Sequence, residues 1–157
     1  MEYYIQILIE TLEKKKLVLD ELIRLNLEQS EIIEQPVFDE SAFHENTQKK
    51  EIQLELLEKL DNGFDANFQH CKDELISHKE KYANQIKRMQ ELIREIIDKG
   101  SVIYADEHRN KNQIERQFHN KRVQIKEGRS NSKAAYDYYK VMNKSTYVDS
   151  MFMDHRQ

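Results

Sequence analysis

The segment FHENTQKKEIQLELLEKLDNGFDANFQHCKDEL, residues 43–75, decides how the chain folds. Stepping from Phe43 by alternate fours and threes lands on Thr47, Lys50, Leu54, Leu57, Asp61, Phe64, Phe68, Cys71 and Leu75. This is a heptad seam, the spacing that keeps one face of a helix turned toward a partner. The seam crosses Asn62-Gly63, a dipeptide whose turn chemistry nominates a helix stop, without losing phase. A glycine inside a helix costs only about 1 kcal/mol relative to alanine, so the periodicity predicts one continuous helix through Gly63.

A second seam follows: Tyr82, Ile86, Met89, Ile93, Ile96, Gly100 and Ile103. It crosses Lys99-Gly100-Ser101 in the same way. The two seams fall out of step near residues 77–81, which is where the chain is expected to reverse. Had the turn signals prevailed at both glycines, the result would be four shorter helices. Periodicity favours three long ones, the last running from about Lys81 to Lys126.

Upstream, a first helix is expected from Glu2 to Glu34. Its stripe is Ile5, Leu8, Leu12, Leu19, Leu22 and Ile33, widened by Ile9, Val18 and Ile23. Lys15, Asn26 and Gln29 occupy stripe positions. Polar residues in a seam can fix register at a cost in stability. Because a 3.6-residue helix drifts against a strict heptad, the expectation is that these three turn toward water. Gln35-Pro36 ends the helix, since the residue before proline is pushed out of helical geometry. Asp39 then caps the next helix, with Glu40 in its first turn, and Phe38 and Phe43 have the N′ to N4 spacing of a hydrophobic staple.

The predicted fold is therefore all-α: an elongated antiparallel bundle of three long helices, a coiled-coil-like hairpin plus an N-terminal helix, with a short helical or extended C-terminal tail. Residues 1–127 form the rod and 128–157 the tail. Composition agrees, for 38% hydrophobic and 34% charged residues suit slender helices that bury a narrow stripe. Three glycines and one proline leave little material for loops. Beyond Ile103 the third helix meets Glu107 and Asn110 before Ile114, and then Phe118 and Ile125 in a shifted phase. This distal part is expected to project as solvated helix, the alternative being that it packs on something outside the bundle.

The tail differs from the rod. After Glu127-Gly128-Arg129-Ser130-Asn131-Ser132 come Tyr136, Tyr138, Tyr139, Met142, Tyr147, Met151, Phe152 and Met153. Four of the chain's eight tyrosines lie here, too many for a generic disordered end. Residues 133–143 can form a short amphipathic helix. The large side chains either cover the bundle or dock a partner, a role that suits Tyr and Met because they bury much area and adapt in shape.

Signs of chemistry are lacking. No histidine has a carboxylate three residues before it, as a di-iron bundle requires. A single cysteine, Cys71, makes neither a structural zinc site nor an internal disulfide. His70-Cys71 are helix neighbours that point in different directions. Neither a phosphate loop nor a nucleophile motif occurs, so no enzyme activity, cofactor or metal is expected. The net charge of −4 argues against nucleic-acid binding, which needs a strong basic field, although residues 105–127 turn mildly basic. The acidic start, Met1-Glu2, is unlike a signal peptide, and no run reaches membrane-spanning length. A reduced, cytoplasmic protein without membrane insertion is the expectation.

Three stretches carry a family likeness: Lys49-Lys50 through Leu60-Asp61; Ala105-Asp106-Glu107-His108-Arg109-Asn110-Lys111 with Ile114; and Ala135-Tyr136-Asp137-Tyr138-Tyr139 through Phe152-Met153-Asp154. With the long first helix, the proline break and the tyrosine-bearing tail, they resemble the FlgN-type flagellar export chaperones in their clostridial form. The resemblance implies a cytoplasmic protein of the flagellar type III secretion system. Such a protein binds hook–filament junction (hook-associated) proteins, prevents their premature assembly and delivers them to the export gate and ATPase apparatus. It points to Tyr136, Tyr139, Met142, Tyr147, Phe152, Ile114 and Phe118 as partner-binding residues, with Tyr139 and then Tyr136 favoured for the gate. Filament-cap chaperones are similar enough to be the alternative. A rival reading is a structural coiled coil that self-associates, for example as a homodimer, through the same seams.

Overall fold

The computed structural model describes residues 1–119. They form three helices, α1 (Glu2–Glu34), α2 (Glu40–Ser77) and α3 (Ala83–Phe118). At 1.5 Å per residue these are rods of roughly 50–57 Å. Both seam glycines lie inside helices, so the three-helix division holds over the described residues. At Gly63 a Cβ would meet no atom within 4 Å, and no glycine there has positive φ. The glycine therefore neither breaks the helix nor serves a close approach.

The helix ends are as local chemistry dictates. Gln35, just before the proline, is extended at φ −63° and ψ 142°. The Ala42 amide donates to Asp39 Oδ1 at 3.0 Å, closing the α2 cap. The Phe38 and Phe43 rings lie 5.4 Å apart, as the staple requires. The reversal falls at residues 78–82, between α2 and α3. There the His78 amide donates to the Glu74 carbonyl at 3.0 Å, and the buried Tyr82 donates its hydroxyl to Glu74 Oε1 at 3.2 Å.

Contacts fix the topology as up–down–up. Tyr4 stacks on His70 at 5.1 Å, while Ile33 packs with Phe43 at the other end, so α1 and α2 are antiparallel. Arg88 reaches Glu13 at 3.5 Å and Lys99 pairs with Asp20, so α3 runs parallel to α1. The bundle is organised around α1, which approaches both other helices closely. α2 and α3 are joined across it by side chains, through Lys50 to Glu107 and Phe38 to Phe118.

Both predicted seams face inward. From Phe43 to Leu75 every seam residue is buried except Leu54, which is half-buried and packs on the core. Every residue of the second seam, from Tyr82 to Ile103, is buried as well. Two expectations fail. Lys15, Asn26 and Gln29 are not turned to water but lie inside the bundle, at 3%, 0% and 0% exposure. The distal part of α3 does not project either. Glu107, Asn110, Ile114 and Phe118 are all buried, because α1 and the start of α2 extend alongside them. Each helix supplies polar groups at the same level, and they partner one another in part where solvent was expected to do so.

Candidate functional site

Two features stand out among the described residues: a buried polar layer across all three helices, and the apolar cluster beyond it. In the layer, α1 contributes Asn26 and Gln29, α2 contributes Asn46, Thr47 and Lys50, and α3 contributes Glu107 and Asn110. All seven are less than one-tenth exposed. Lys50 forms an ion pair with Glu107, and both side chains are almost wholly buried. Lys50 Nζ also donates to Gln29 Oε1 at 3.5 Å. The same oxygen accepts from Asn110 Nδ2 at 3.1 Å, which reaches the Asn26 carbonyl at 3.0 Å as well. Asn46 Nδ2 donates to the Leu25 carbonyl at 2.9 Å. Side chains thus bond main-chain carbonyls of α1 from both sides, a pattern that sets helix register.

Burial dominates the electrostatics of the pair. It raises the Glu107 carboxyl, while Lys50 and the nearby Asn26 side chain pull it down and nearby Asp106 pushes it up. Burial likewise lowers the Lys50 ammonium, and the attraction of Glu107 opposes this only in part. An ion pair this far from water gains little net stability, yet breaking it leaves a charge uncompensated. Gln29 Nε2, Asn46 Oδ1, Thr47 Oγ1 and Asn110 Oδ1 have no hydrogen-bond partner among the described residues. Each such buried group lowers stability. Nearer the other end, Lys15 and Asp61 join α1 to α2 at 2.7 Å.

Of the partner-binding candidates, Ile114 and Phe118 sit together beyond the layer. With Ile33 and Phe43 they make a small cluster, flanked by half-buried Ile32 and Phe38. Phe38 lies 4.4 Å from Phe118, ring to ring. Both candidates therefore contact this chain's own helices. Tyr136, Tyr139, Met142, Tyr147 and Phe152 lie outside the described residues, as do the expected continuation of α3 to Lys126 and the tail helix. The large apolar side chains open to solvent include Ile52 at 60% and Leu56 at 43%, four residues apart on α2, and Val102 and Tyr104 on α3.

Cys71 is buried, its thiol near the Asn67 carbonyl at 3.4 Å, and burial pushes its pKa up. His70 turns away from it onto Tyr4. Among the described residues, no three His, Cys, Asp or Glu side chains are placed to share a metal ion, and no helix is long and apolar enough to cross a membrane.

Sequence reasoning missed the layer, although its signal was present. Asn26 and Gln29 on α1, Thr47 and Lys50 on α2, and Glu107 and Asn110 on α3 are all polar interruptions of apolar stripes. An up–down–up register brings the three interruptions to one height.

These features define the class of the described residues: an all-α, three-helix antiparallel bundle with an ionic layer in its core. Comparison with models of known families, with characterised proteins and with solved structures gives no match.

Proposed function

We propose that this protein is a cytoplasmic export chaperone of the FlgN type, holding hook-associated proteins before their passage through the flagellar type III export gate. The observation that carries the reading is a division of labour. The seams of residues 43–75 and 82–103 face inward within the rod, while the density of Tyr, Met and Phe in 136–153 exceeds what a solvated segment needs. The resemblance of 49–61, 105–114 and 135–154 to that family supports the same reading. Amphipathic helices of a client would be taken up by side chains of adaptable shape.

The test is removal of residues 128–157. Helicity by circular dichroism should be nearly unchanged, and capture of purified hook-associated proteins should be lost. Unchanged affinity of the shortened rod would refute the assignment of the tail. Capture of the filament-cap protein in place of the junction proteins would shift the client class to the alternative chaperone family.

One observation favours a second reading, a self-associating coiled coil: Ile52 and Leu56 lie exposed at i and i+4 on α2, a spacing that places them on one face. Light scattering over a range of concentrations separates the two. A dimer that weakens in Ile52→Lys/Leu56→Lys, with no flagellar client captured, would favour self-association.

A further inference from the structure

The apolar interior is not continuous along the rod. The main cluster runs from Ile5 to Leu22 on α1, from Leu57 to Leu75 on α2 and from Ile86 to Ile103 on α3, with Tyr82 at the turn. Among the described residues, the distal cluster contains only Ile33, Phe43, Ile114 and Phe118 as buried members. Between them lies the Asn26–Gln29–Asn46–Thr47–Lys50–Glu107–Asn110 layer. Leu25, the buried apolar side chain at this level, joins neither cluster.

Cooperativity in a bundle is transmitted by packed apolar contacts. A layer of polar groups, several of them unpartnered, transmits it poorly, because opening hydrates groups that gained little from burial. We propose that the distal end of the bundle opens and closes as a unit while the main core stays folded, with the Lys50–Glu107 layer as the break between them. That unit comprises the last turn of α1 with Ile33, the first turns of α2 from Asp39, and α3 beyond Glu107. The juxtaposition carrying this is a four-residue apolar cluster cut off from the main one by an ion pair and its amide neighbours. Opening bares Phe43, Ile114 and Phe118 together, since these side chains close on one another. Helix fraying alone would loosen both ends of the rod alike. The opposite end, at Leu75, Tyr82 and Ile86, belongs to the main cluster and has no comparable break.

Native-state hydrogen exchange on the full chain tests this. Amides of residues 30–34, 43–47 and 110–117 should exchange at least about tenfold faster than those near Leu75 and Ile86, and with a weaker denaturant dependence, as a sub-global opening requires. Phe118→Ala should speed the distal amides further and leave those around Leu12, Leu22 and Ile93 unchanged. Lys50→Met/Glu107→Leu should bring distal exchange toward the rate of the core by joining the clusters. Equal rates and equal denaturant dependence at the two ends would overturn the proposal. So would acceleration of the central amides by Phe118→Ala to the same extent as the distal ones. If the double variant does not fold, the Phe118→Ala comparison decides alone, with Ile114→Val as its milder counterpart.

Discussion

The two ends of this rod are built from the same helices but on different principles. From Leu8 to Leu22, and opposite it from Ile86 to Ile103, the interior is mostly apolar, with Gln90 and the Lys15–Asp61 pair as its polar members, and the apolar residues nearly all fall on predicted seams. At the level of Asn26 and Lys50 it becomes a network of amides around a buried ion pair, and beyond that it resumes as a handful of aromatic and branched side chains. The first region gains stability from area removed from water, about 25 cal/mol per Å². The second gains little from its charges and much in selectivity, because a one-turn slip of α2 or α3 would leave Lys50 or Glu107 unpaired in the core. The same sequence periodicity thus encodes stability in one region and register in the other.

The sharpest way to break that comparison is to cut the ion pair on one side. Glu107→Ala should destabilise the chain by about 3–5 kcal/mol, since it strands Lys50 in the core. Replacing both partners with apolar groups, Lys50→Met/Glu107→Leu, should be neutral or stabilising by about 1–4 kcal/mol. Urea denaturation of the two variants measures both. A pair that specifies register predicts this asymmetry, whereas a pair that supplies stability predicts loss in both variants. In the main core, Leu22→Ala should cost about 2–5 kcal/mol through the cavity it leaves, with no recovery available from a second substitution.

The pH dependence sharpens the contrast. Glu107 is raised in the fold, so between the ordinary carboxylate range, near 4.3, and its folded value the native chain holds more protons than the unfolded one. Stability therefore falls as pH rises through that window. Lys50 is lowered, so stability recovers as pH rises from its folded value toward its ordinary range, near 10.4. The advantage of Lys50→Met/Glu107→Leu over the wild type should accordingly be greatest at intermediate pH and shrink at both extremes. A gap that stays constant from acid to alkali would rule this account out.

Smaller effects test the helix ends and the seam glycine. Asp39→Ala removes the cap that receives the Ala42 amide and should cost about 1 kcal/mol, felt at the distal end where α2 begins. Gly63→Ala has open space for its methyl group and an ordinary helical backbone, so it should stabilise by about 0.5–1 kcal/mol. A destabilised Gly63→Ala in thermal melts would mean that the position serves something other than the helix.

Much of this was legible in the residues. Pro36, Asp39 and the Phe38–Phe43 staple are local signals that act within one turn, and they appear where the pattern put them. The unbroken phase through Gly63 and Gly100 outweighed turn chemistry because a helix packed along its whole length readily absorbs the cost of one glycine. The polar stripe positions were misread for the opposite reason. On one helix, Asn26 or Lys50 in a seam has water as its natural partner, and only neighbours from two other helices can displace it. Ile114 and Phe118 were read as exposed for the same cause, since nothing near them in sequence reveals that α1 and the start of α2 reach that far.

The chain's own periodicity, caps and breaks determined three long helices, their boundaries over the described residues and the faces they bury, because each is settled by interactions within a turn or two. Only the tertiary structure decided that α1 is the helix around which the others pack, that the distal end of α3 is covered, and that Lys50 and Glu107 meet in the core. Those outcomes depend on register between segments as many as 84 residues apart, as in the bond from Asn110 to the Asn26 carbonyl, and register is a property of the assembled bundle.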